Sequence, residues 1–191
     1  MEYSIYIYEA DEEALKNEKL KKELVREAVG TYCLANGIDF PKDIEISYGH
    51  KGKPYYKGIP VHFSVSHTAG MWICMIGKAP CGIDIQIAKE CNYDKIAERH
   101  FTEGEKKFIE RFGIEGFYRI WTHREAFGKY TGEGFYGKMP AFADEEGNLV
   151  DMVCALEEKD KPAYIIDVPI ASDIICAYCT GGESDEIKFF G

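Results

Sequence analysis

At 191 residues with a formal net charge of −10, the chain has the length of one large domain or two small ones. Its charge has the wrong sign for general attraction to nucleic acid or anionic membrane. Hydrophobic residues at 46% and charged residues at 29% give the balance of a soluble globular protein.

The opening MEYSIYIYEADEE has no basic region and no long apolar run, so no export signal is expected. YSIYIYEA (3–10) alternates and predicts a strand. From Asp11 to about Ala35, Leu15, Leu20, Leu24 and Val25 recur at helical spacing, with acids early, basic residues later and Gly37 as the stop. A short strand over 44–48 follows, then a loop around Gly52, Lys53 and Pro54. VHFSVSH (61–67), MWICMIG (71–77) and CGIDIQI (81–87) predict three strands separated by turns, the second far too short to span a bilayer.

NYDKIAERHFTEGEKKFIERF (92–112) predicts a helix in two pieces, restarting at Thr102, whose hydroxyl forms a capping box with Glu105. Residues 114–130 predict another helix. After Gly137, the segments NLVDMVCAL, AYIIDVPI, DIICAYC and IKFF predict strands ending in a meander. The expected fold is α+β: two pseudo-symmetric lobes, 1–90 and 91–191, tightly joined. Each is a small, mainly antiparallel sheet packed with helices, with the ligand in the crevice between them.

Seven cysteines are an odd number, and Cys74, Cys154 and Cys176 sit inside apolar runs, which favours reduced thiols in a cytoplasm. Cys176 and Cys179 form a lone CxxC in strand-like alternation, without the four ligands of a zinc site, and read as core.

In CGIDIQI, isoleucines 83, 85 and 87 share one strand face, whereas Gly82, Asp84 and Gln86 share the other. Taken alone this is a half-buried strand with a solvated polar face. In WTHREAFGKYTGEGF (121–135), Glu125 and Lys129 stand one helical turn apart, beside Trp121 and off the arc of Phe117, Ile120, Phe127 and Tyr130. Alone this is a surface pair. Together the segments offer oxygen ligands and a cation, the needs of a magnesium site that handles a pyrophosphate. Ser66 and His67 precede a turn and suit phosphate, and Lys51, Lys53 and Lys57 form a local basic loop.

GKP (52–54), FSVSH (63–67), GIDIQ (82–86), RHFTEGE (99–105) and WTHREAFGKYTGEGF, in that order over about residues 44–142, resemble the 4′-phosphopantetheinyl transferases of the larger single-chain type. The resemblance implies transfer of the 4′-phosphopantetheine arm of coenzyme A to a serine of an apo carrier protein, with release of 3′,5′-ADP. It implies Mg²⁺, or Mn²⁺ in its place, on Asp84, Glu125 and the Gln86 position. It places Ser66 and His67 on coenzyme A phosphates, Lys53 and Pro54 by the adenine or ribose, Lys129 at the scissile pyrophosphate, and Arg26 on the 3′-phosphate.

Two departures stand out. Gln86 replaces a frequent glutamate, so weaker metal binding or a water in its place is expected. Arg124 replaces a lysine and falls on the apolar arc, predicting partial burial against the ligand side. Glu125, directly or through a bound water, would take the serine proton. A non-catalytic binder of coenzyme A or of a carrier, and a pyrophosphate hydrolase, are the alternatives. A cytoplasmic monomer is expected, with Phe108, Phe112, Phe117 and Tyr118 as core or as a carrier-docking surface.

Overall fold

The computed structural model describes residues 1–135, 137–155, 158–183 and 185–191. Among them run β1 (Glu2–Glu9), a 3-10 turn (Ala14–Lys16), α1 (Glu18–Ala35), β2 (Ile46–Tyr48), β3 (Pro54–Tyr56), β4 (His62–Thr68), β5 (Met71–Gly77) and β6 (Gly82–Ile87). Then come α2 (Asp94–His100), α3 (Glu103–Thr131), β7 (Met152–Ala155), β8 (Glu158–Asp167), β9 (Ile174–Thr180) and β10 (Glu186–Phe190). This is a mixed α+β architecture. No helix among the described residues is long and apolar enough to cross a membrane.

One sheet has the order β10-β1-β5-β4 and another β6-β9-β8-β7, with β2 and β3 as a separate hairpin. The near-continuous apolar runs of β1 and β5 follow from burial on both faces. Tyr6, Trp72, Cys74 and Ile76 pack towards α1 with Val25, Ala28, Val29 and Tyr32. Tyr3, Ile5, Ile73 and Met75 pack on the other face against Ile83, Ile85, Cys176 and Tyr178 of the second sheet. The far face of that sheet, with Val153, Ile165, Ile175, Ala177 and Cys179, receives Phe117, Ile120 and Phe127 of α3. The layers therefore run α1, first sheet, second sheet, α3.

Several expectations change. The helix expected from Asp11 begins only at Glu18, because Asn17 caps it through the N–H groups of Lys19 and Leu20. Asp11 instead accepts from the N–H groups of Glu13 and Ala14 and shapes a turn. The IKFF strand does not close a meander: β10 pairs in parallel with β1, Tyr3 opposite Ile187. Strand β6, expected with the first ninety residues, pairs antiparallel with β9, Asp84 opposite Ala177. Sheet membership thus crosses residue 90 in both directions. Two of the residues around the end of NLVDMVCAL, 156 and 157, lie outside the described residues.

The helical readings of the middle segment hold in detail. Thr102 and Glu105 form the capping box, and Gly113 (φ 60°, ψ −138°) breaks the run where one helix was expected to stop and another to start. All seven cysteines are free thiols, and Cys176 and Cys179 are buried on β9. Phe108, Phe117 and Tyr118 are buried, leaving only Phe112 of the four candidate docking aromatics exposed, at 48%.

Candidate active site

The site forms where β6, the end of α3 and the β2–β3 hairpin meet. Ile83 and Ile85 turn to the first sheet, so Gly82, Asp84 and Gln86 face the helix. A Cβ on Gly82 would lie 1.9 Å from the carbonyl oxygen of Ala126 and 2.5 Å from the nitrogen of Tyr130. Only glycine lets strand and helix lie this close. Gly82 and Asp84 are accordingly buried, Asp84 to 2% exposure, and Gln86 is half-buried.

Lys129 reaches across that contact. Its Nζ donates to Asp84 Oδ1 at 2.6 Å and to the Ile83 carbonyl at 3.1 Å. Ser66 Oγ donates to the same carboxylate oxygen at 2.7 Å, and Gln86 Nε2 donates to Oδ2 at 2.9 Å. A hydroxyl seam extends this contact along β4: Ile83 N–H donates to Ser64 Oγ at 3.0 Å and Ile87 N–H to Thr68 Oγ1 at 3.3 Å. Of the hydroxyls at every second residue of FSVSHT, Ser64 and Thr68 thus satisfy backbone donors on the edge of β6, and Ser66 between them serves the Asp84 carboxylate.

Glu125 stands one turn before Lys129 on α3. Burial raises its pKa first, the charge of Asp84 raises it further, and Lys129 opposes both. The two carboxylates therefore sense each other across the strand–helix contact. With one ammonium between them they leave one negative charge in excess in a partly dry place. Hard oxygen donors of this kind suit a divalent cation whose remaining ligands are phosphate and water oxygens. The described residues contain no group of three or more His, Cys, Asp or Glu that would grip a metal by itself.

Two cavities adjoin Lys129. One, about 210 Å³, is lined by Lys53, Pro54, Ser64, Gly128 and Gly132 among others. Gly132 ends α3 in the left-handed conformation, φ 77°, which turns the chain away at the mouth of this cavity. The other, about 330 Å³, is lined by Lys21, Lys22, Pro54, Ser66 and His67. Burial lowers the His67 pKa, Lys21 and Lys129 lower it further, and Glu18 and Asp84 oppose them, so the net shift is downward. Lys21 and Lys22 were not singled out from the sequence. The run KLKK read only as the basic part of an amphipathic helix, and the structure turns it to the same cavity as His67.

Two expected ligand residues, Arg26 and Arg124, line neither cavity, and Lys53 lines the first with its ammonium turned to backbone carbonyls. Arg26 donates to the carbonyls of Ile44 and Pro41 at 2.9 and 3.2 Å, bracing its own loop. Arg124 is buried as predicted but away from both cavities: its guanidinium bonds both carboxylate oxygens of Glu105 at 3.0 Å, with the rings of Phe101, Phe135 and Phe142 5.0 to 5.8 Å away. Glu105, 0% exposed, also accepts from Thr102 N–H and Phe142 N–H. Lys53 Nζ donates to the carbonyls of Cys81, Lys129 and Tyr130.

Residues 80–179 match the family model of the 4′-phosphopantetheinyl transferase superfamily. The chain belongs to that superfamily. The matched stretch runs from β6 to β9 and holds Asp84, Gln86, Glu125 and Lys129, whereas Ser66, His67 and the hairpin precede it.

Among curated relatives, the 4′-phosphopantetheinyl transferase of Bacillus subtilis is 32% identical over 69% of this chain and 60% of its own length. The 4′-phosphopantetheinyl transferase gsp of Aneurinibacillus migulanus is 29% identical over 68% of this chain and 55% of its own. The transferase Sfp of Bacillus subtilis strain 168 is 29% identical over 64% and 57% respectively. In these matches the chain spans little more than half the length of the relatives.

Proposed function

We propose that the protein transfers the 4′-phosphopantetheine arm of coenzyme A to a serine of an apo carrier protein and releases 3′,5′-ADP. The observation that carries the reading is the meeting of Asp84, Glu125 and Lys129 beside cavities rimmed with lysine and histidine, in a chain of this superfamily. A net negative protein that takes a polyanionic co-substrate needs such a local cluster of donors. Lys21, Lys22 and His67 supply it next to Ser66, and Pro54 lies on the wall shared by the two cavities.

Asp84 and Glu125 would hold Mg²⁺, or Mn²⁺, with Gln86 orienting Asp84 instead of supplying a third charge. Bound there, the ion would neutralise charge on the pyrophosphate. In the reaction the carrier serine oxygen forms a bond to the phosphorus nearer the pantetheine. The bond from that phosphorus to the bridging oxygen breaks, and its electron pair leaves on 3′,5′-ADP. Glu125, its carboxyl pKa raised by burial and by Asp84, accepts the serine proton directly or through a water. Lys129 moves its ammonium onto the departing phosphate charge. Phosphoryl transfers of this kind rest mostly on positioning and charge stabilisation, which this set of residues supplies.

Labelled coenzyme A, Mg²⁺ and an apo carrier domain test the reading. Covalently labelled carrier supports it. Retained coenzyme A binding without labelled carrier makes the protein a binder, the alternative that Gln86 favours, and label released to water without carrier makes it a hydrolase.

A further inference from the structure

We infer that the Lys53 ammonium is a positioning group that fixes the last turn of α3 on β6, and not a donor to the co-substrate. The inference rests on the transferase reading of the site. A lysine ammonium has three donors and no acceptor. Lys53 directs all three to backbone carbonyls: Lys129 and Tyr130 at the C-terminus of α3, and Cys81 one residue before β6. No ammonium N–H remains for a phosphate or a ribose.

The carbonyls at a helix C-terminus lack intrahelical partners, and the helix dipole places negative potential there. A cation that binds two of them and a strand carbonyl ties three segments at one point: the hairpin, the helix end and the strand start. Burial lowers the Lys53 pKa, so its head is withdrawn from water, in keeping with a fastening role.

What Lys53 fastens is the pair of segments that carry the chemistry. Cys81 is three residues before Asp84, and Lys129 is itself one of the residues whose carbonyl Lys53 holds. Lys129 then bridges back from helix to strand through Asp84 Oδ1 and the Ile83 carbonyl. One lysine cross-links the backbones and the other cross-links a side chain to the strand, so the reach of Lys129 is set by the turn that Lys53 holds. The GKP motif thus acts through Lys129.

The test is Lys53→Met, which keeps most of the side-chain volume and removes the three donors. A misplacement of about 1 Å costs on the order of 100-fold in rate, so kcat should fall about 10- to 100-fold. KM for coenzyme A should stay within about 2-fold, because only the transition-state alignment is lost. Amide hydrogen exchange on the ligand-free variant should quicken at 128–132 and 81–84 and nowhere else. A rise in KM at unchanged kcat makes Lys53 a ligand contact and overturns the inference, as does unchanged exchange in those segments. If Lys53→Met does not fold, Lys53→Gln, which keeps two donors, must show a kcat below that of the wild type at unchanged KM, and any other pattern rejects the role. Should the wild type label no carrier, the transferase reading fails alone, and the exchange measurement still decides whether Lys53 holds the turn.

Discussion

At the scale of single residues, the site places two carboxylates against each other before any cation is bound, and this has opposite effects on stability and activity. Glu125→Gln removes a charge that burial and Asp84 both disfavour. The variant should melt at a higher temperature than the wild type without metal, yet lose carrier labelling by a factor of about 100 or more. Added Mg²⁺ should raise the melting temperature of the wild type and leave that of the variant unchanged; equal shifts in both would remove Glu125 from the metal site. Lys129→Ala should lower kcat about 100-fold while changing coenzyme A affinity less, measured by single-turnover labelling and calorimetry. The shared face of Asp84 and Gln86 and the one-turn spacing of Glu125 and Lys129 were legible in sequence, because strand and helix periodicity fix which side chains share a face. The partners of Arg124, Arg26 and Lys53 were not, because periodicity does not say which carbonyl or carboxylate a long cation will meet. Arg124 meets Glu105, nineteen residues earlier, and Lys53 meets a helix end seventy-six residues later.

At the scale of elements, the site depends on how closely α3 lies on β6 and how firmly it is anchored. Gly82→Ala inserts a methyl into the backbone of α3, and overpacking of this kind costs about 1–3 kcal/mol. Urea denaturation should show that loss together with reduced transfer, since the helix must shift away from Asp84. The far end of α3 is held by Glu105, and Glu105→Ala leaves Arg124 buried without its partner, at a cost of about 3–5 kcal/mol by the same measurement. On the opposite flank His123 Nε2 lies 2.7 Å from Asp167 Oδ1, joining α3 to the end of β8. Burial raises the Asp167 pKa, but the hydrogen bond to His123 and the charges of His123 and Arg119 lower it more, so the net shift is downward. A carboxyl with a lowered folded pKa adds stability above its unfolded value, near 3.9, that is lost as pH falls through the folded value. Asp167→Asn should therefore flatten the acid limb of a stability profile below about pH 4, and an unchanged limb would show that the pair does not anchor the helix. The capping box announced the start of α3 in sequence, whereas the strand–helix contact was hidden because an isolated glycine in a strand does not name the element that approaches it.

At the scale of the whole molecule, the strands and helices were largely legible, but their assignment to sheets was not. Hydrophobic alternation identifies strands without naming their partners, and so the pairing of β6 with β9 and of β10 with β1 lay beyond it. On the proposed transferase reading, carrier choice is likewise a property of the whole surface, and apo carriers from fatty-acid, polyketide and peptide synthetases assayed side by side should differ in rate at equal coenzyme A. Because β10 adds to the edge of β1, the first strand of the sequence is joined by the last among the described residues. During synthesis on the ribosome, β6 must wait for β9 and β1 for β10 before either ladder is complete. Asp84 and Glu125 are thus brought to register late, as a finishing event of folding that needs both halves of the polypeptide at once.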